Sequence, residues 1–320
     1  MSWQTDNPKN YATEYLRELD QVFPYVLNFG ALYATPNNGR YRWVNGKTIE
    51  IPSVTTTGRI NGDRDSVSFA SRNYSNNWQT KTLTNERKWS TLVHPMDIDQ
   101  TNMVASIGNI TRTFNEEHKF PEMDAYLISK LYADWTTSIA GDTAHGAYVG
   151  KTADTTILTA DNILSVFDQL MLNMDEKRVP VQGRLLYVTY PVKSLLKKAS
   201  GLTRNWDVQN VSAHGINRVV ESLDGVQIIG VPAELMKTLY NFTEDWAPAV
   251  NAAQINMFLV HPMAVITPHS YSFAQLDAPS AMSEGKWTYY EESFEDAFIL
   301  NNKADALQFN VTEGSSTTTN

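Results

Sequence analysis

The chain has 320 residues, no cysteine, 42% hydrophobic residues and a formal net charge of -9 at pH 7. This length and composition predict a globular protein with a well-buried core. The absence of cysteine excludes disulfides, zinc–thiolate sites and thiol nucleophiles, and it suits synthesis in a reducing cytoplasm. The negative charge argues against a surface built to neutralise nucleic-acid phosphates. No apolar run has the length of a membrane span and the polar N-terminus is unlike a signal peptide, so we expect no membrane partner.

The first 39 residues are predicted to form an N-terminal arm. Residues 10–23, with the sequence NYATEYLRELDQVF, place their apolar side chains on one side of a helix, and Pro24 ends it. We therefore expect one short helix within an arm over residues 1–39.

Residues 40–95 are predicted to form one long β-hairpin. Ile49 and Ile51 alternate with polar residues at the period of a strand, and Asn-Gly pairs at 45–46 and 61–62 are typical of hairpin turns. Large apolar side chains then become scarce, since the stretch from Thr55 to Lys88 has only Ile60, Val67, Phe69, Tyr74, Trp78 and Leu83. Such a hairpin buries too little apolar surface to order itself.

The reach of this hairpin suggests where it goes. An arm of about 15 residues extends near 50 Å, whereas a compact chain of this length has a radius of gyration of about 20 Å. Two alternatives follow: the segment is disordered, or it lies on another copy of the same protein.

Helical periodicity begins after the hairpin. One stripe along a helix consists of Met103, Ile107, Ile110 and Phe114. Pro121 interrupts the pattern, and a second stripe then runs through Asp124, Ile128, Leu131 and Trp135. These two stretches predict one long, bent helix.

From Thr159 onward the pattern alternates helix and strand. The predicted helices are TADNILSVFDQLMLNM and VKSLLKKA, and the predicted buried strands are RLLYVTY, LDGVQIIGVP and INMFLVHPMAVI. A strand-rich segment, KWTYYEESFEDAFILNNKADALQFNV, ends the predicted fold, and we expect the polar tail GSSTTTN to be mobile.

No catalytic residue or cofactor site is predicted. The common phosphate-binding, dinucleotide-binding, serine-hydrolase and zinc-protease motifs are absent from the sequence. His94 with Asp97 and Asp99 could hold a divalent ion or simply cap a loop, and Asp63 with Asp65 could form a metal motif or a solvated hairpin tip.

The order of the segments resembles the major capsid proteins of tailed bacteriophages, the Hong Kong 97-like family. The segments that carry the likeness are NYATEYLRELDQVF, KTIEIPSVTTTGRINGDRD, TLTNERKWSTLVHPMDIDQTN, FPEMDAYLISKLYADW, GRLLYVTYPVKSLLKKA and YYEESFEDAFILNNKADAL. Together they cover nearly the whole chain, although each alone is only moderately specific.

The resemblance implies an α+β, Hong Kong 97-like capsid fold. Its parts are expected to be the N-terminal arm, the hairpin as an extended loop over a neighbouring subunit, a peripheral domain with the long spine helix, and an axial α/β domain. The peripheral domain would comprise residues 96–157 and 251–313, the axial domain residues 158–250, and the mobile tail residues 314–320.

The resemblance also implies a structural, non-enzymatic function. Subunits would self-assemble into hexamers and pentamers of an icosahedral head, built in the host bacterial cytoplasm, that confines double-stranded DNA within the virion. The expected partners are other copies of the chain, a portal and a scaffolding protein, which would be separate if Met1 is the natural start. Whether a decoration protein also binds outside stays open.

The subunit interface is predicted to involve the hairpin. Its arginines suit the bridging of carboxylates on a neighbour, and the candidate interface residues are Ile49, Ile51, Arg59, Arg64, Phe69, Trp78, Arg87 and Trp89.

Two other functions remain open from the sequence. One is the shell of a protein-loaded nanocompartment, similar to encapsulins, which resembles phage capsids in fold. The other is a mixed α/β enzyme or carbohydrate-binding protein with the hairpin as a flap, in which aromatic residues would line a site, namely Trp43, Tyr74, Trp78 and Trp89.

Overall fold

The computed structural model describes residues 25–59, 73–100, 106–137, 150–199, 222–243 and 245–312. The predicted helix over residues 10–23 and the predicted tail over residues 314–320 lie outside this part of the chain. The first described elements are a short helix, α1 (Gly30–Tyr33), and a 3-10 turn (Pro36–Gly39).

The hairpin region begins with a three-stranded antiparallel sheet. Its strands, in the order β1-β2-β3, are β1 (Arg42–Asn45), β2 (Thr48–Thr56) and β3 (Tyr74–Thr82). The backbone N–H of Lys47 donates to Asn45 Oδ1 at 2.9 Å in the turn between β1 and β2. The Asn-Gly pair at 45–46 therefore does lie at a tight turn, as its sequence indicates.

The prediction of a single hairpin over residues 40–95 is wrong in its C-terminal part. The segment β4 (Glu86–Val93) leaves the hairpin and pairs with β13 (Trp287–Glu295), which pairs in turn with β12 (His269–Asp277). The connection between β3 and β4 is fixed by Asp296, whose Oδ2 accepts from the Thr84 backbone N–H at 2.8 Å. The alternation of exposed and partly buried residues along β4 fits this second sheet, because every other side chain of β4 faces the subunit's own helices.

The spine is one helical run with a wide turn inside it. It consists of α3 (Ile107–Phe114), a π turn (Asn115–Lys119) and α4 (Phe120–Thr136), and it follows a shorter helix, α2 (Pro95–Gln100). The N–H of Phe120 bonds to the carbonyl of Asn115, five residues earlier. Pro121 has no N–H to offer the preceding turn, so a wide turn accommodates the proline without ending the helix.

The second half of the chain forms an α/β layer. Its five-stranded sheet has the order β15-β10-β5-β7-β6, in which only β5 and β7 are parallel. The elements are α5 (Ile163–Asp175), β5 (Leu185–Thr189), α6 (Tyr190–Leu196), β6 (Ser222–Leu223), β7 (Val226–Val231), β10 (Gln254–Val260) and β15 (Leu307–Thr312). Two small ladders accompany them: β8 (Tyr240–Asn241) with β9 (Ala247–Pro248), and β11 (Val265–Ile266) with β14 (Phe298–Ile299).

Both faces of this sheet are covered. Tyr187 and Phe258 join the spine residues Leu131 and Trp135 in one buried cluster. Leu186, Val188 and Leu259, which alternate with them along the strands, pack against α5 and α6 in another. Near-continuous apolar runs such as LLYVT arise because both faces of their strand are buried.

Candidate subunit-docking surface

The base of the hairpin packs against its own subunit. Ile49 and Ile51 are buried in a cluster with Leu83, Ile266 and Phe294. Ile49 has no exposed surface at all, so its side chain is unavailable to a neighbouring molecule. The prediction that Ile49 and Ile51 form a subunit interface therefore disagrees with the structure, because the strand's apolar face finds its partner within the chain.

Polar groups continue this inner face. Lys81 opposes Ile49 across the ladder, and its Nζ donates to Asn301 Oδ1 at 2.9 Å. Burial lowers the pKa of Lys81. The hairpin base is thus held to the chain's C-terminal region by both apolar packing and a hydrogen bond.

The opposite face of the hairpin carries an exposed apolar row. Cross-strand partners share a face, and the register pairs Pro52 with Trp78 and Val54 with Asn76, while Tyr74 lies one pair further toward the tip. Val54 is 64% exposed, Tyr74 54% and Trp78 38%. We call Pro52, Val54, Tyr74 and Trp78 the outer row.

Trp78 is held in place by a charged neighbour. The Arg42 guanidinium lies 4.0 Å from the centre of the Trp78 ring, and its Nη2 is 2.7 Å from Glu50 Oε2. This ion pair is solvent-accessible and contributes little stability by itself. Its effect is to present the indole in a fixed orientation at the surface.

The side chains in the distal half of the hairpin are not fully buried by the described part of the subunit. No residue is buried from Pro52 to Thr56 or from Tyr74 to Trp78. The nine residues of β2 span about 30 Å at the usual strand rise. The outer row therefore lies on a part of the hairpin that the described part of the subunit leaves unburied.

Two other predicted interface residues make contacts inside the chain. Arg87 forms an ion pair with Glu122 and donates to the Phe242 carbonyl at 2.6 Å. Trp89 stacks on Phe114, with ring centres 3.9 Å apart and nearly parallel planes. Both side chains belong to the face of β4 that packs on the spine, which the single-hairpin interpretation missed.

Of the remaining predicted interface residues, Trp78 lies in the outer row and Arg59 is exposed just beyond the end of β2. Arg64 and Phe69 lie outside the described residues. The outer row therefore retains one of the eight predicted residues and adds Pro52, Val54 and Tyr74.

A second exposed apolar surface was missed from the sequence. On the sheet formed by β12, β13 and β4, the outward face carries Tyr271, Phe273, Tyr290 and Leu92. Tyr271 and Phe273 stack with ring centres 6.4 Å apart, and Phe273 lies 6.2 Å from Tyr290. The alternation in YSF over residues 271–273 could have indicated it, because residues two apart on a strand share a face.

A cleft of about 290 Å³ lies between the spine and β4 and β13. Ion pairs line it, including Lys119 with Glu291 at 3.0 Å and Arg87 with Glu122. Of the aromatic residues expected to line a site beneath a flap, Trp89 contacts this cleft whereas Trp43, Tyr74 and Trp78 do not.

The candidate metal positions have other roles or lie elsewhere. His94 Nδ1 accepts from the Met96 backbone N–H at 3.2 Å, at the start of α2. Asp63 and Asp65 lie outside the described residues. Across the described ranges, no group of three or more histidine or acidic side chains is arranged to hold a metal ion.

No helix among the described residues has both the length and the apolar composition required to cross a bilayer.

Comparisons with known proteins give matches to solved structures only. No protein-family model matches the chain. No curated protein matches it either.

The solved structures that match include phage capsids. The capsid structure of the cyanophage P-SCSP1u has a TM-score of 0.63 at 11% identity, covering 94% of this chain and 92% of that one. The mature capsid of bacteriophage PhiM1 has a TM-score of 0.62 at 14% identity, covering 83% and 82%. The capsid of cyanophage A-1(L) has a TM-score of 0.57 at 11% identity, covering 92% and 94%. At such identities the likeness is one of fold, and this chain has the α+β fold of phage capsid subunits.

Proposed function

We propose that this chain is the major capsid protein of a tailed phage. It acts as a structural rather than a catalytic subunit, self-assembling into the hexamers and pentamers of an icosahedral head. The observation that carries the proposal is the likeness to capsid subunits over more than nine-tenths of both chains. Fold alone does not fix function, so the proposal also rests on the geometry of the hairpin.

The hairpin supports a function in assembly. Its base is buried within the chain, whereas its distal half carries the outer row of Pro52, Val54, Tyr74 and Trp78 into solvent. Aromatic side chains that bury large areas commonly dominate interface energies. We propose that the outer row packs on a neighbouring copy of the chain, so that the distal hairpin is stable only in the assembled shell.

The domain organisation is a proposal taken from the resemblance. Residues 158–250 would cluster at the capsomer centre as the axial domain, and residues 96–157 with 251–313 would form the peripheral domain, although β10 and β15 of the latter share a sheet with β5 and β7. The arm over residues 1–39 would add contacts between subunits. The strand β4 belongs with the peripheral domain in this proposal, because it pairs with β13.

The packaged material is proposed to be double-stranded DNA. With a net charge of -9, the shell would confine DNA without binding its phosphates tightly. Scaffolding and portal proteins would act during assembly in the bacterial cytoplasm, and a decoration protein would bind the finished virion.

Particle size and content test this proposal. Light scattering and electron microscopy of the expressed chain, with and without the neighbouring genes of its genome, should give closed shells of megadalton mass. A mass of 36.0 kDa under every condition would contradict a shell function. Shells filled with an enzyme in place of DNA would support a nanocompartment instead.

A further inference from the structure

A second cleft, of about 260 Å³, lies beneath the hairpin base. We call it the hairpin cleft. Both hairpin strands line it, through Ser53 and Gln79, together with Arg40 on one side and Asn302 and Lys303 on the other. The cleft therefore lies between the hairpin and two segments, around Arg40 and around Lys303, that are far from each other in the sequence.

The hairpin cleft has two positive charges and no negative one. Arg40 and Lys303 are the charged residues that line it, and neither forms a salt bridge with another residue of the described chain. Burial, and then the proximity of Arg40, lower the pKa of Lys303. Since Lys303 Nζ donates to a single acceptor among the described residues, the Met263 carbonyl at 3.1 Å, the ammonium has further N–H groups to donate.

A buried amide lies beside the same cleft. Gln79 lines the cleft and is 8% exposed, and its buried Oε1 accepts no hydrogen bond from the described residues. Leaving such a group unpaired costs about 1 to 3 kcal/mol. The cleft itself offers two kinds of donor, the guanidinium of Arg40 and the ammonium of Lys303.

We propose that the hairpin cleft receives a carboxylate side chain from a second copy of this chain when subunits assemble. The volume is below the range of about 300 to 1,000 Å³ typical of small-molecule sites, and suits a single inserted side chain. The partner copy carries 35 acidic against 26 basic residues, so its surface is rich in carboxylates. Charge-assisted hydrogen bonds from Arg40 and Lys303 would hold the carboxylate.

This contact would fix the direction of the hairpin. The cleft lies directly against Ile51 to Ser53, where the buried base gives way to the exposed distal half. A carboxylate bound there would bridge the hairpin to Lys303 and Arg40. The inference rests on the proposed function, because it requires assembly of identical subunits.

The test is the double variant Arg40→Gln/Lys303→Gln. Removing two like charges that face each other relieves repulsion, so we expect the isolated subunit to keep or slightly raise its melting temperature. We expect the yield of particles by sedimentation to fall about tenfold or more, because an interfacial charge pair is lost. The matched control Lys177→Gln/Lys198→Gln changes the net charge equally at exposed positions and should assemble like the wild type.

Two outcomes separate this inference from the proposed function. Absence of wild-type particles would overturn the shell function itself. Normal wild-type particles together with normal yields from the double variant would overturn the carboxylate contact alone. If the double variant fails to fold, Lys303→Met, which keeps the apolar stem and removes the charge, replaces it with the same two outcomes.

Discussion

Asp124 anchors the segment that leads into the fold. Its carboxylate is fully buried and accepts from the Tyr25 hydroxyl, from the Asn28 backbone N–H at 2.8 Å and from the Phe29 backbone N–H at 3.2 Å. Residues 25–29 are thereby held against α4. Replacing Asp124 by alanine would leave three donors without their acceptor.

The size of the effect follows from two opposing contributions. Hydrogen bonds to a charged group contribute about 1.5 to 3 kcal/mol each. Burial opposes them and is the larger influence on the pKa of Asp124, raising it from 3.8 to about 6. That difference corresponds to about 3 kcal/mol. We expect Asp124→Ala to lower the free energy of unfolding by about 2 to 5 kcal/mol.

The raised pKa also predicts how stability depends on pH. Between about pH 4 and pH 6 the folded chain binds a proton at Asp124 that the unfolded chain does not, so stability falls as pH rises through this window. Above pH 7 the loss reaches about 3 kcal/mol. Glu295 raises the pKa of His269, so His269 contributes stability at low pH that is likewise lost as pH rises.

Urea unfolding at pH 5 and pH 7.5 measures this dependence. Asp124→Asn should abolish the part due to Asp124, while the His269 contribution remains in every variant and cancels in the comparison. The control Asp161→Asn changes an exposed carboxylate and should behave like the wild type. An unchanged pH dependence in Asp124→Asn, or wild-type stability in Asp124→Ala, would refute this account of the anchor.

Four further substitutions test the packing. Ile49→Ala should lower the free energy of unfolding by about 2 to 5 kcal/mol in denaturant unfolding, because the side chain is fully buried. Val54→Ala, on the exposed face, should change it by no more than about 0.5 kcal/mol. Equal effects would contradict a hairpin with one buried and one exposed face. Tyr187→Phe should leave stability unchanged or raise it by about 1 kcal/mol, since the buried hydroxyl has no hydrogen-bond partner among the described residues. A clear loss of stability would contradict that expectation. Arg184→Met should cost about 2 to 4 kcal/mol by calorimetry, because its buried guanidinium binds Asp175 and two carbonyls; wild-type stability would be the contrary result.

Periodicity predicted the elements whose partners are near or whose faces are strongly apolar. Ile128, Leu131 and Trp135 are buried as their helical spacing indicates, and RLLYVTY does form the central strand β5. These successes have one cause. A buried face requires apolar residues at the period of its own helix or strand, whichever element packs against it.

The sequence could not identify which part of the chain packs against the buried face of each strand. Ile49 and Ile51 have the correct alternation for a half-buried strand, but only the fold brings Ile266 and Phe294 against them. Likewise, the sequence of β4 suggests a continuation of the hairpin, because its true partner, β13, lies far along the chain. Local pattern fixes the buried face, whereas pairing of distant strands depends on topology.

The hairpin cleft was beyond sequence reasoning for the same reason. Arg40 and Lys303 each look like ordinary surface cations in their own segments. Their proximity to each other and to Gln79 arises only when the hairpin packs against the segment around Lys303, which lies far along the chain.

The double variant Val54→Ser/Trp78→Ala tests the central claim, that the outer row binds a neighbouring copy. Both side chains are exposed in the subunit, so the purified variant should unfold at the wild-type temperature, and electron microscopy should find few or no particles. Ile157→Ser, which removes another exposed apolar side chain, serves as the control and should assemble. Normal particles from the double variant would contradict the account.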